Sequence, residues 1–256
     1  MLNYKIIGDG NPIVLLHGYL ENMKMWEDYA EELSKDYQVI IVDLPGHGES
    51  ETFDEIHTME LLAGQVNQTL GFLGISEALI VGHSMGGYVT LALADFYFER
   101  VKGFILMNSS SLADTEEKKD LRQRTLGMVD ESQETIVKMS IPRLFNEKNL
   151  DRLKEEREFA KKMALETPLK GVKSAIRGMK ARPDRTYVLD EFRGEIGIIL
   201  GKFDRAIPPE EFKKVIPKKD NISVLELDTG HMAYLEAPKE TLEFIHEMAR
   251  KVFLTY

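Results

Sequence analysis

A chain of 256 residues can bury one substantial core, and 43% hydrophobic with 30% charged residues is ordinary for a soluble globular protein. Its formal net charge of -10 excludes a broad basic face for nucleic acid or anionic membrane. With no cysteine, disulfides, thiolate-bound zinc, iron–sulfur clusters and thiol catalysis are excluded together.

The opening residues, Met1 to Gly10, lack the basic segment and long apolar core of a signal peptide, and no apolar run approaches the roughly 20 residues of a membrane span. The expectation is a cytoplasmic protein. Leu2 to Ile7 alternates weakly and stops at the turn-rich Gly8-Asp9-Gly10-Asn11-Pro12, which predicts a short antiparallel strand. Ile13-Val14-Leu15-Leu16 is continuously apolar, as a strand covered on both faces must be. His17-Gly18-Tyr19-Leu20 follows, and Gly18 permits a tight loop that aims the Tyr19 backbone N–H above the sheet. Met25, Trp26, Tyr29, Ala30 and Leu33 fall at helical spacing. Val39 to Val42 predicts another buried strand, ending in Asp43-Leu44-Pro45-Gly46-His47-Gly48-Glu49-Ser50. That loop lacks a liganding set at metal spacing and reads as structural, with His47 bonded to backbone. Met59, Leu62, Val66, Leu70 and Leu73 form a helical stripe that ends at Gly74.

Ala78-Leu79-Ile80-Val81 then leads through Gly82-His83-Ser84-Met85-Gly86-Gly87 into a helix-compatible run from Tyr88. This is Gly-x-Ser-x-Gly between a strand and a helix, a nucleophile elbow. The serine sits in a strained turn, and side chains at Gly82 and Gly86 would collide with the neighbouring strand and helix. The N-terminus of the following helix points at Ser84, where negative charge develops in acyl transfer. The N–H groups of Tyr19 and Met85 are the candidate oxyanion donors.

Phe104 to Met107 is the next strand. From 111 to 190 strand signals vanish, charge becomes dense and helical stripes divided by Pro142, Pro168 and Pro183 take over. Residues 111–190 are therefore expected to form a helical cap, or lid, inserted into a core made of 1–110 and 191–256. Met128, Met139, Met163 and Met179 are candidates to line an adaptable pocket, with at least half of them filling the lid's own core. The sheet pattern resumes at Ile196 to Gly201, followed by Asp204 and a helix from Pro208-Pro209 containing Phe212, Val215 and Ile216. Ile222 to Leu227 is the last strand, followed by Gly230-His231. Pro238 opens a closing helix.

Alternating strands and helices imply a parallel sheet with helices on both faces, and ligands bind such sheets at the carboxyl edge. Asp204 and His231 follow strands and fall on that edge with Ser84. Among rival bases, His83 points away along the strand, and His57 and His246 lie on helix-like segments. Asp228 is too close in sequence to His231 to approach its ring from behind. His246 has Arg250 four positions on, so a zinc helix fails and no metal or cofactor is expected.

These motifs together resemble the α/β-hydrolase fold superfamily across essentially all 256 residues. The matching residues are His17-Gly18-Tyr19, Asp43 to Ser50, Gly82 to Gly87, Gly201-Lys202-Phe203-Asp204 and Gly230-His231. The resemblance implies a mostly parallel eight-stranded sheet with a helical cap after strand six. It also implies a Ser84–His231–Asp204 triad that hydrolyses carboxylic esters of small or medium acyl groups. A serine at the elbow disfavours the epoxide-hydrolase and dehalogenase branches. Lactonase, thioesterase or carbon–carbon bond hydrolase are the enzyme alternatives, and a ligand-binding protein is the alternative of another class. The expected partner is a small ester, with the chain a monomer or homodimer.

Overall fold

The structure, a computed structural model, describes residues 1–254. Seven strands run β1 (Tyr4–Ile7), β2 (Pro12–Leu16), β3 (Gln38–Val42), β4 (Ala78–His83), β5 (Val101–Met107), β6 (Glu195–Gly201) and β7 (Ile222–Leu227). They form one sheet in the order β1-β3-β2-β4-β5-β6-β7, with β1 antiparallel to β3 and every other neighbouring pair parallel. Ten helices accompany them among the described residues: α1 (Glu27–Leu33), α2 (Met59–Phe72), α3 (Met85–Phe96), α4 (Glu116–Ser140), α5 (Lys154–Glu166), α6 (Leu169–Ala181), α7 (Thr186–Glu191), α8 (Pro209–Lys213), α9 (Ala233–Glu236) and α10 (Pro238–Leu254).

Strand periodicity explains why the sheet is covered twice. Alternate residues point to opposite faces, so Ile13, Leu15, Leu79 and Val81 enter one core, and Val14, Leu16 and Ile80 enter the other. Helices α1 and α10 close the first core through Tyr29, Leu33, Ile245 and Met248, and α2 and α3 close the second through Leu62, Val66, Val89 and Leu93. Central strand β4 is buried throughout and β2 is buried from Ile13 on, whereas edge strand β7 mixes partly buried and exposed residues. Helix α2 ends as its sequence demands: Gly74 takes the left-handed conformation (φ 72°), and the Ile75 N–H returns to the Leu70 carbonyl.

Among the described residues the sheet has seven strands, not the eight the resemblance implied. Residues 1–16 hold only two strand-forming runs, separated by the Gly8-to-Pro12 turn, so no stretch remains for an extra strand. The helical insertion accordingly follows the fifth strand rather than the sixth. Helix α8 stops at Lys213, leaving Val215 and Ile216 outside it, with the Val215 N–H closing a turn on the Phe212 carbonyl.

Between β5 and β6 the regular structure is entirely helical. Helix α4 buries only Val129 and Val137 and breaks at Ser132 (φ -164°, ψ 90°), whose hydroxyl accepts the Thr135 N–H and restarts the helix. Helix α6 is held far more closely. A Cβ at Gly171 or Gly178 would overlap the carbonyl oxygens of Gly46 and His57, so α6 lies directly against core loops. Buried Arg182 pairs with Asp114 at 2.7 Å, and buried Arg185 reaches Asp95 and Glu60. Of the four methionines, Met163 and Met179 are core residues and Met128 and Met139 are exposed.

Candidate active site

Strands β2 and β4 are neighbours, but the chain leaves β2 toward β3 and leaves β4 toward β5. Their carboxyl ends diverge at this switch point and open a crevice. β4 delivers Ser84 to it. The serine has φ 50° and ψ -113°, a conformation that side chains disfavour and that only dense surroundings sustain. Those surroundings explain the flanking glycines. A Cβ at Gly82 would meet the Gly86 carbonyl and the Thr90 hydroxyl, and one at Gly86 would meet the Leu16 carbonyl. Leu20, Ser84 and Asn108 are the non-glycine residues with positive φ among those described, and all three stand at strand exits along this edge.

β6 and β7 bring the other two predicted side chains to Ser84. His231 Nε2 lies 2.9 Å from Ser84 Oγ, and His231 Nδ1 lies 2.8 Å from Asp204 Oδ2. A carboxylate can only accept, so Nδ1 carries the proton and Nε2 presents its lone pair to the hydroxyl. Asp204 is 5% exposed. Burial by itself would raise its pKa, but the His231 charge and hydrogen bond, the Ile207 N–H and Asn108 together hold it below the ordinary carboxylate value. Its Oδ1 accepts the Ala206 and Ile207 N–H groups at 2.8 Å each, and Asn108 Nδ2 donates to Oδ2 at 3.2 Å. The same amide donates to the Gly230 carbonyl at 3.0 Å, tying Asp204 to the His231 loop.

The loop after β2 is equally constrained. His17 accepts the Leu44 N–H on Nε2 and donates from Nδ1 to the Gly18 carbonyl, each at 2.8 Å, which defines a neutral tautomer. Burial lowers its pKa in the same sense. The Gly18 N–H donates to buried Glu21 at 2.6 Å. A Cβ at Gly18 would lie 2.6 Å from that carboxylate and 3.1 Å from Ser84 Cβ, so only glycine lets this loop run over the serine. Among the described residues, neither the Tyr19 nor the Met85 N–H donates to a protein acceptor. Met85 is the first residue of α3, where helical geometry leaves the N–H without an intrahelical partner.

The segment following α4 holds the His231 loop. The His231 N–H donates to the Leu144 carbonyl at 2.6 Å. Glu236, buried on α9, accepts the Gly230 and Asn146 N–H groups at 2.7 and 3.0 Å and the Asn149 amide at 3.0 Å. Glu236, Glu21 and Asn108 all escaped the sequence reading, because nothing local distinguishes a buried polar residue of this kind from a surface one. His83 was weighed only as a base. It makes no bond to Ser84 and instead lies between Glu21 and the His231 carbonyl. His57 sits in the loop before α2 rather than on a helix, with its N–H bound to the Ser174 carbonyl, and His246 lies on α10. Asp228 is exposed and paired with Lys202. His47 bonds the Pro45 carbonyl, and buried Asp43 accepts the Met23 and Glu49 N–H groups, so the loop after β3 is structural. Among the described residues no cluster of histidine and acidic side chains could hold a metal ion.

A family model for the α/β hydrolase fold matches residues 11–137. An esterase from Thermogutta terrifontis, solved with malate bound, superposes with a TM-score of 0.93 at 33% identity, covering 98% of this chain and 93% of its own. The enol-lactonase from Burkholderia xenovorans LB400 shares the fold, with a TM-score of 0.89 at 24% identity over 96% of this chain and 95% of that one. A dihydrolipoyllysine-residue acetyltransferase component of the acetoin cleaving system from Pseudomonas putida is 28% identical over 248 residues, 94% of this chain. This chain spans 64% of that relative's length and less than a third of the next two curated relatives. The sheet order, the elbow between β4 and α3 and the near-complete overlap with the Thermogutta enzyme agree, and the chain belongs to the α/β hydrolase fold family.

Proposed function

We propose that this protein is a serine hydrolase that cleaves carboxylic esters of small or medium acyl groups through an acyl-enzyme. The observation that carries the reading is the continuous hydrogen-bonded line from Ser84 Oγ through the His231 ring to Asp204. A serine hydroxyl is a poor nucleophile until an adjacent base can take its proton. In the proposed reaction His231 Nε2 removes that proton as Oγ attacks the ester carbonyl, and Asp204 stabilises the imidazolium that results. The Tyr19 and Met85 N–H groups receive the developing oxyanion, assisted by the N-terminal end of α3. His231 then protonates the leaving alcohol, deprotonates water for attack on the acyl-enzyme, and returns the proton to Ser84.

Residues 111–190 act as the lid in this reading. Val129, Val137 and Ile141 share one apolar cluster with Leu20 and Met232, which adjoin the oxyanion donor Tyr19 and His231. That packing supports a roof that excludes water from the acyl group. The test is a panel of p-nitrophenyl esters of increasing acyl length, combined with labelling by a fluorophosphonate. Turnover of the short esters and modification of Ser84 are expected; failure of both would overturn the reading.

A further inference from the structure

We propose that His83 is a positioning residue, held as an imidazolium by Glu21, that locks the oxyanion loop and the loop bearing His231 to one another. The inference rests on the catalytic roles proposed for Tyr19 and His231.

Both ring nitrogens of His83 face acceptors. Nδ1 lies 2.8 Å from Glu21 Oε2, and Nε2 lies 3.0 Å from the backbone carbonyl oxygen of His231. A neutral imidazole has one N–H and would turn a lone pair toward either a carboxylate or a carbonyl; only the cation donates to both. Water cannot substitute, because His83 is 1% and Glu21 5% exposed. Burial opposes charge on each partner, yet the Glu21 charge and hydrogen bond raise the His83 pKa, and His83 with the Gly18 N–H lowers that of Glu21. The surroundings supply no competing cation. His17, facing from the loop after β2, is neutral, the Tyr234 ring from α9 meets His83 edge-on at 5.3 Å, the His231 ring lies 5.1 Å away, and Asp204 adds negative charge.

The pair acts on the catalytic groups through backbone. The oxygen of Glu21 that accepts His83 also accepts the Gly18 N–H, which orients the peptide entering Gly18. His17 holds the next peptide by the Gly18 carbonyl, so the Tyr19 N–H on its other side is directed away from His17. At the far end of the ring, His83 holds the carbonyl of the residue whose side chain is the base. One cation therefore sets the spacing between oxyanion donor and base, and misplacement on the scale of 1 Å there costs about 10²-fold in rate.

The experiment uses the whole chain with ¹⁵N-labelled histidine, together with Glu21→Gln and His83→Gln. At pH 7.5 the parent is expected to show both His83 ring nitrogens protonated, and Glu21→Gln to show a neutral His83. For p-nitrophenyl acetate, both variants are expected to lose about 10² in kcat with KM within about threefold. Affinity for an alkyl boronic acid, which mimics the tetrahedral adduct, is expected to fall with kcat. The spectrum of the parent decides the charge of His83 even if His83→Gln does not fold. A neutral His83 at pH 7.5, or a charged one whose loss leaves kcat and boronate affinity unchanged, overturns the proposal. Failure of the parent to turn over any ester or to react at Ser84 would instead remove the proposed function and leave the spectrum to report on the ion pair.

Discussion

Two histidine–carboxylate pairs stand side by side at the head of this sheet, and they differ in one partner. In each, a buried carboxylate lies 2.8 Å from a histidine Nδ1. His231 turns Nε2 toward a serine hydroxyl, which can donate or accept, whereas His83 turns Nε2 toward a backbone carbonyl, which can only accept. The first pair is able to exchange a proton across its free end. The second is able only to hold one. In the proposed reading, similar chemistry yields a base in one place and a fixed cation in the other, and the deciding atom lies on the far side of the ring from the carboxylate.

Breaking the exchanging pair should have the largest effect. Ser84→Ala is expected to lower kcat by about 10⁶-fold while leaving the thermal midpoint close to that of the parent, since alanine keeps the Cβ at the strained φ of 50° and only the hydroxyl is lost. Hydrolysis of p-nitrophenyl acetate and a melting curve on the same preparation check it. Asp204→Asn keeps the shape but offers a donor where His231 needs an acceptor, and is expected to lower kcat by about 10⁴-fold.

The held pair should reveal itself in stability against pH. The His83 pKa is raised above its ordinary 6.5, so its contribution is complete below 6.5 and is lost as pH rises through the raised value. The Glu21 pKa is lowered from 4.5, so its contribution is complete above 4.5 and is lost as pH falls through the depressed value. Urea denaturation should accordingly show the stability gap between parent and Glu21→Gln widest between pH 4.5 and 6.5, at about 3 kcal/mol. A gap of constant size from pH 5 to 10 would mean that the pair carries no such linkage.

Smaller effects sharpen the same contrast. Asn108→Gly suits the residue's φ of 47° and removes one of four donors to Asp204, so about a tenfold loss of kcat is expected. Lys119→Ala breaks an exposed pair with Glu116 on the outer face of α4 and should change stability by less than about 0.5 kcal/mol and activity not at all. A large loss there would mean that α4 bears on the site through its outer face.

The parts legible in the sequence were those written in local pattern. Continuous apolar runs marked β2 to β6, because strands buried on both faces leave no room for polar residues. Gly82 and Gly86 marked Ser84, because a side chain at either would overlap backbone. Asp204 and His231 were legible because each follows a strand that must end at the same edge. Glu21, Asn108 and Glu236 were not, since each is surrounded by residues distant in the chain and resembles any solvated polar side chain until the fold buries it. His83 was rightly set aside as a base, but its partners were not legible: its neighbour in sequence is Ser84, while they come from 62 and 148 positions away.

The order of residues alone determined where strands, turns and elbow could form, because those depend on spacing, apolar periodicity and the sterics of glycine. Tertiary structure alone decided the seating of the helical insertion on the His231 loop and which atoms the two histidine rings face. A histidine's role depends on whether each ring nitrogen meets a donor or an acceptor, and those atoms arrive only when the loops of separate strands are folded together.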